Sequence, residues 1–260
     1  MTQLKPMLRR LLRPRRFHAY CVGAPKTGTH SIAGIFSKHF RSAHEPGHMG
    51  LIDHIVALRE QAETEWEFDR YLKERDWRLW LEMEASHLTY FYIERLVKLW
   101  PKTKFILTVR DCHSWLESWT NFILAGPKRP ANFKSEWFSV NDLRFNGKSP
   151  HPPEEKILAE NGLYTLDGYL SSWTAHNRAV LAAVPKERLL VIRTNEIEKE
   201  LGRIASFLGI SEDKLDPIQS HSFKNEKKFN VLSQIDQTHL RRKMEEHCGE
   251  LMRQLFGGIR

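Results

Sequence analysis

The sequence predicts an α/β fold of three layers, with helices on both faces of a central, mostly parallel sheet. Two observations carry this. From Phe17 onward, short apolar segments alternate with amphipathic helical ones, the order that parallel strands and their right-handed crossovers require. The apolar segments are also near-continuous rather than alternating with polar residues, as strands buried on both faces are. At 260 residues, with 41% apolar and 28% charged residues, the chain suits one continuous globular core.

Taken in order, FHAYCVG (17–23) reads as a buried strand ending in glycine. Thr29 to Phe40 follows with Ile32, Ile35, Phe36 and Phe40 at helical spacing. Residues 51–75 read as a helix rich in i,i+4 charge pairs, and RLWLE (78–82) as a second strand. HLTYFYIERLVKLW (87–100) is an amphipathic helix closed by Pro101. KFILTV (104–109) is the clearest strand and runs directly into Arg110-Asp111 and a helix of about a dozen residues carrying Trp115 and Trp119. Residues 125–155 break the rhythm with Gly126-Pro127, Pro130, Asn146-Gly147 and SPHPP, so they read as a long loop or insertion. A helix over 163–183, the strand RLLVI (188–192), a helix over 194–209 with a capping Thr194 and a terminal Gly209, and a last helix over 233–255 complete the pattern.

The formal charge of +8 is unevenly placed: residues 1–16 hold six basic residues and no acid, which leaves +2 for residues 17–260. A basic leader (1–16) followed by one catalytic body (17–260) is the domain reading. The body is not a nucleic-acid binder by composition. The leader reads as a solvated tail, with peripheral contact to an anionic membrane surface through its charges and Leu11-Leu12 as the alternative. It lacks the apolar run of a signal peptide, and no stretch of about 18 apolar residues exists to span a membrane. Cys21, Cys112 and Cys248 are odd in number and lack metal-ligand spacing, which points to reduced thiols in a cytoplasmic protein.

The chemistry concentrates after the first strand, in Gly23-Ala24-Pro25-Lys26-Thr27-Gly28-Thr29-His30-Ser31. A strand, a glycine-bracketed turn and a helix start make a cup of backbone N–H groups with a positive helix dipole behind it. Lys26 and the hydroxyls of Thr27 and Thr29 add donors, so phosphate or phosphosulfate is the natural occupant. Gly23 and Gly28 have the glycine spacing of a nucleotide-binding P-loop. The lysine, however, stands two residues before the second glycine instead of directly after it, where a kinase needs it to hold phosphates.

Pro25-Lys26-Thr27-Gly28-Thr29 resembles instead the 5'-phosphosulfate loop of the sulfotransferases that use 3'-phosphoadenosine 5'-phosphosulfate (PAPS). A second motif of that family, an Arg and a Ser eight residues on at the end of an inner strand, is matched by Arg110 and Ser118 in FILTVRDCHSWLESW. The order Arg110-Asp111, then Trp115-Leu116 and Ser118, is similar to bacterial and carbohydrate-modifying members in particular. The resemblance runs from about residue 17 to about 210. It implies that Pro25, Lys26, Thr27, Gly28, Thr29 and His30 line the phosphosulfate and that Arg110 and Ser118 hold the 3'-phosphate. The aryl and steroid branch continues its loop with a Trp that stacks on adenine; Thr29-His30-Ser31 lacks it. The Arg-Lys-Gly segment of that branch is also missing, and Lys224 in FKNEKKF (223–229) is the candidate substitute.

The implied reaction moves a sulfuryl group from PAPS to an acceptor hydroxyl or amine, on a saccharide or polysaccharide precursor. It releases adenosine 3',5'-bisphosphate and needs no metal. Lys26 is expected to meet the charge that builds on the departing phosphate. A general base must take the acceptor's proton, and four residues compete: His44, Glu45, Glu84 and His87. Glu45-Pro46 matches the position where the heparan-type members place a catalytic Glu, and Glu84 stands near the catalytic His of the aryl branch. A P-loop kinase and a non-catalytic polyanion- or membrane-binding module are the competing classes. The first lacks the lysine after Gly28, and the second has only the leader to support it.

Overall fold

A computed structural model describes residues 13–126, 136–147, 149–217 and 227–258. Its elements, in chain order, begin with β1 (Ala19–Cys21), α1 (Thr29–Ser37), β2 (Ser42–His44), α2 (His48–Arg59), α3 (Glu65–Leu79) and β3 (Met83–Ala85). A 3₁₀ turn (His87–Tyr92) leads to α4 (Ile93–Leu99), β4 (Lys104–Val109), α5 (Cys112–Ala125) and α6 (Glu136–Phe145). The chain continues with α7 (Lys156–Glu160), α8 (Leu166–Ala183), β5 (Leu189–Arg193), α9 (Leu201–Leu208) and α10 (Gln237–Phe256).

The five strands form one sheet in the order β2-β3-β1-β4-β5, and every pairing is parallel. Both sheet faces are covered, which makes the three-layer α/β architecture the sequence predicts. Cys21 and Ile106 face a cluster built on Ile32, Ile35 and Phe36 of α1 and Ile204 and Leu208 of α9. Tyr20, Val22, Phe105 and Leu107 point the other way, onto Leu51, Phe68, Leu72, Leu96 and Val180 from α2, α3, α4 and α8. Each fully buried side chain of this kind contributes about 1.5–3 kcal/mol. A third cluster joins Trp115 and Trp119 of α5 to Tyr169 and Trp173 of α8 and to Leu240 and Met244 of α10.

The strand order also locates the site. After β1 the chain moves toward β2, whereas after β4 it moves toward β5. The connections therefore part at the carboxyl ends of the adjacent strands β1 and β4, and such a switch point leaves a crevice there.

Several expectations are corrected. The strand expected at 78–82 begins at Met83 instead. The inward row Phe68, Leu72 and Arg75 carries α3 through Leu79, where Trp80 ends it in the left-handed region at φ 49°. The helix expected over 51–75 is two helices. Thr64 starts the second by accepting from Glu67 N while Glu67 accepts from Thr64 N, a capping box that the sequence T-E-W-E contains. The segment 125–155 contains α6, and His87–Tyr92 is a 3₁₀ turn where a helix was expected. The helix expected over 194–209 is a 3₁₀ turn over Thr194–Glu200 followed by α9, and the hydroxyl of Thr194 points to the site described below instead of capping. The end of the basic leader is not a free tail: Arg15 pairs with Asp76 at 2.6 Å and Arg16 with Glu82 at 3.1 Å. The three cysteines are free and buried. Among the described residues no helix is long and apolar enough to cross a membrane.

Candidate active site

The loop between β1 and α1 is shaped by close approach. A Cβ on Gly23 would stand 2.0 Å from Thr108 Oγ1 and 2.4 Å from Thr27 Oγ1, so only glycine lets the loop pass β4. The hydroxyl of Thr27 donates to Ala24 O at 2.7 Å and lies 3.0 Å from that of Thr108. Lys26 and Gly28 sit in the left-handed region at φ 64° and 96°. For lysine such a backbone costs on the order of 1–3 kcal/mol, which the surrounding contacts hold in place. Trp115 Nε1 donates to Pro25 O at 2.8 Å from α5. Helix α1 then begins at Thr29 without a side-chain cap, so its first-turn N–H groups and its dipole face the loop.

The second arm starts where β4 ends. Asp111 caps α5 by accepting from Ser114 N at 2.9 Å, and Arg110 Nε donates to Ser114 Oγ at 3.1 Å. Ser118 lies one turn beyond Ser114 on the same helix face. The hydroxyl of Thr194 lies 2.7 Å from Thr27 O and 3.0 Å from Val109 O, so one side chain fastens the two arms together. Burial lowers the pKa of half-buried Lys26, and the nearby charge of Arg110 lowers it further. Arg110 is lowered by burial as well, against the pull of Asp111 and Glu117. The crevice thus holds two cations that feel one another, an arrangement that favours a ligand with more than one negative charge.

The third arm is the turn after β2. Glu45 is left-handed at φ 49°, and its N–H donates to Ala85 O at 3.0 Å. Arg75 braces the turn: Nη2 donates to Pro46 O at 2.7 Å while both terminal nitrogens hold Glu84, at 2.7 and 2.8 Å. His44 Nε2 lies 3.1 Å from Thr29 Oγ1, which connects this turn to the start of α1. His87 Nε2 lies 3.2 Å from Glu45 Oε1 without the alignment of a hydrogen bond, and that oxygen is buried with no hydrogen-bond partner among the described residues. Burial raises the Glu45 pKa from 4.5 to about 7, opposed by the charge of Arg144 and the His87 backbone N–H. Burial holds His44 down at about 4, helped by the charges of His30 and His48. His87 is also pushed well down, chiefly by burial and then by Arg144.

Of the residues expected at a site, the loop residues Pro25 to His30, Arg110 and Ser118 flank the β1/β4 crevice, and Glu45 joins the loop through His44 and Thr29. His30 packs its ring 5.0 Å from that of His44. Glu84 is only 5% exposed in β3 and is engaged at both oxygens by Arg75. Lys224 lies outside the described residues. Four neighbours were missed: Arg75, Trp115, Arg144 and Thr194. The inward pair Val140 and Arg144 at i,i+4 was the one available signal for Arg144.

Fold and site together define an α/β protein with a phosphate-loop-like, doubly cationic crevice and a buried carboxylate beside it. The chain matches the sulfotransferase domain over residues 20–215, and it belongs to that family. A sulfotransferase from Alicyclobacillus acidocaldarius, known from its crystal structure, is 18% identical, with a TM-score of 0.49, over 88% of this chain and 94% of that one. No curated protein matches the chain in sequence.

Proposed function

We propose that this sulfotransferase takes its sulfuryl group from PAPS and passes it to a hydroxyl, that of a saccharide, with Glu45 as the base. The observation that carries this reading is the chain of contacts from the loop to the carboxylate: Thr29 opens α1 at the loop, His44 bonds to Thr29 at 3.1 Å, and Glu45 follows His44. The acceptor's O–H proton goes to Glu45 as its oxygen bonds to sulfur. The bond from sulfur to the bridging phosphate oxygen breaks, and adenosine 3',5'-bisphosphate leaves with the electron pair. Lys26 and the α1 N-terminus neutralise the charge that grows on that phosphate, and Arg110 and Ser118 hold the 3'-phosphate. Glu84 does not compete as base, since Arg75 occupies both its oxygens.

A base works best when its pKa lies near the working pH, and about 7 suits one that must be ionised to accept a proton and strong enough to hold it. The saccharide acceptor rests on the similarity of the Arg110–Ser118 segment to carbohydrate-modifying members. A cytoplasmic location is part of the same reading. The test is incubation with ³⁵S-labelled PAPS and a panel of saccharide, lipid-linked and phenolic acceptors. Label transfer to a saccharide is expected; transfer to none of them, or protection by ATP and not by PAPS in a thermal-shift assay, would overturn the proposal.

A further inference from the structure

Arg144 is 5% exposed, lies on α6 and, among the described residues, donates to two imidazoles and to no carboxylate. Its Nη2 donates to His87 Nδ1 at 2.7 Å and its Nη1 approaches His176 Nδ1 at 3.5 Å. A guanidinium can only donate, so both Nδ1 atoms accept, and each neutral ring carries its proton on Nε2. For His176 that proton goes to Val22 O at 2.8 Å, beside the start of the crevice loop. For His87 the Nε2 side faces Glu45, whose Oε1 lies 3.2 Å away outside hydrogen-bond alignment. A guanidinium, an imidazole and a carboxylate therefore stand in a row, with the cation at the buried end.

From this geometry we infer that Arg144 is the positioning residue of the base. It fixes the Nε2–H tautomer of His87 beside Glu45 and supplies the interior positive charge that favours the carboxylate over the neutral acid. The inference rests on the reading of Glu45 as base. Arg144 itself touches neither donor nor acceptor. It also removes His87 from the list of possible bases, because one ring nitrogen carries a proton and the other is taken by Arg144. Among the described residues, His44 beside Glu45, His48 from α2 and Tyr92 from the 3₁₀ turn also stand around that carboxylate, and burial holds His44 and Tyr92 toward their neutral forms. The charge of Arg75 on α3 is matched by Glu84.

Three measurements test this. In the wild-type protein, ¹⁵N imidazole shifts should report His87 as the Nε2–H tautomer at neutral pH. In Arg144→Gln the amide keeps a donor toward His87 but removes the charge, so the Glu45 carboxyl, followed by ¹³C NMR and identified by its loss in Glu45→Gln, should titrate about one pH unit higher. The acid limb of kcat/KM should move by the same amount. That displacement lowers kcat/KM at pH 7 about fivefold and restores it above about pH 9, whereas a packing defect would depress the rate at every pH. Arg144→Lys keeps the charge and should hold both titrations near their wild-type positions. An Nδ1–H tautomer in the wild type, or an unmoved Glu45 titration in Arg144→Gln, would overturn the inference whether or not other variants fold. A Glu45 titration that moves while the acid limb stays fixed would overturn the reading of Glu45 as base, and with it any role for Arg144 in turnover.

Discussion

The indole nitrogen of Trp115 donates to the carbonyl oxygen of Pro25 at 2.8 Å, and through this bond the helix that follows β4 holds the loop that follows β1. Trp115 is 1% exposed, so the bond is made away from water. Trp115→Phe keeps a ring but leaves the Pro25 carbonyl without this donor, a loss of about 1–3 kcal/mol. The expected result is a lower unfolding midpoint together with severalfold weaker binding of adenosine 3',5'-bisphosphate, read by thermal denaturation and calorimetry. Unchanged bisphosphate affinity would show that the bond stabilises the fold without shaping the crevice.

If the donor is PAPS, as proposed, Arg110 should distinguish its two phosphates. Arg110→Ala should weaken adenosine 3',5'-bisphosphate far more than adenosine 5'-phosphosulfate, which has no 3'-phosphate. A lost charge-assisted contact is worth about 1.5–3 kcal/mol, or roughly 10- to 150-fold in affinity. Equal weakening of both ligands, measured by calorimetry under one salt condition, would remove Arg110 from the 3'-phosphate site.

What the sequence disclosed and what it hid follow from the range of the interactions. β4 was legible because five residues in a row, Phe105 to Val109, are apolar or β-branched and end at Arg110. The loop was legible because its conformation is written in its residues: Gly23 where a Cβ would collide, Gly28 where φ is 96°. β3 was misplaced because its centre is Glu84, a residue no strand pattern puts inside a sheet. Its burial depends on Arg75, which a helical row of residues brings beneath it. Arg144 was hidden for the same reason: its partner His87 lies 57 residues away, and the single i,i+4 pair with Val140 is too short a pattern to mark an arginine as buried.

The Arg75–Glu84 pair gives a third prediction. Glu84→Gln leaves the Arg75 guanidinium, only 4% exposed, without its counter-charge, a loss expected at about 3–5 kcal/mol. Unfolding by denaturant should show this loss. Turnover per folded molecule should fall less than in Glu45→Gln, because Arg75 reaches Glu45 only through the Pro46 carbonyl. A variant of wild-type stability with turnover reduced about 10²-fold would instead make Glu84 the base.

Glu45→Gln should move activity and stability in opposite directions. Without a carboxylate to take the proton, turnover should drop about 10²-fold or more while affinity for PAPS stays nearly unchanged. Stability follows from the shift of the Glu45 pKa from 4.5 to about 7, caused by burial. Between those values the folded protein keeps a proton that the unfolded chain releases, so stability falls as pH rises through that window. By pH 8 the buried charge costs on the order of 3 kcal/mol. Glutamine carries no charge and escapes this cost. Thermal unfolding should therefore find Glu45→Gln more stable than the wild type at pH 8 and close to it at pH 4.5. Destabilisation at both pH values would identify a structural carboxylate, and near-normal turnover would move the search for the base away from Glu45.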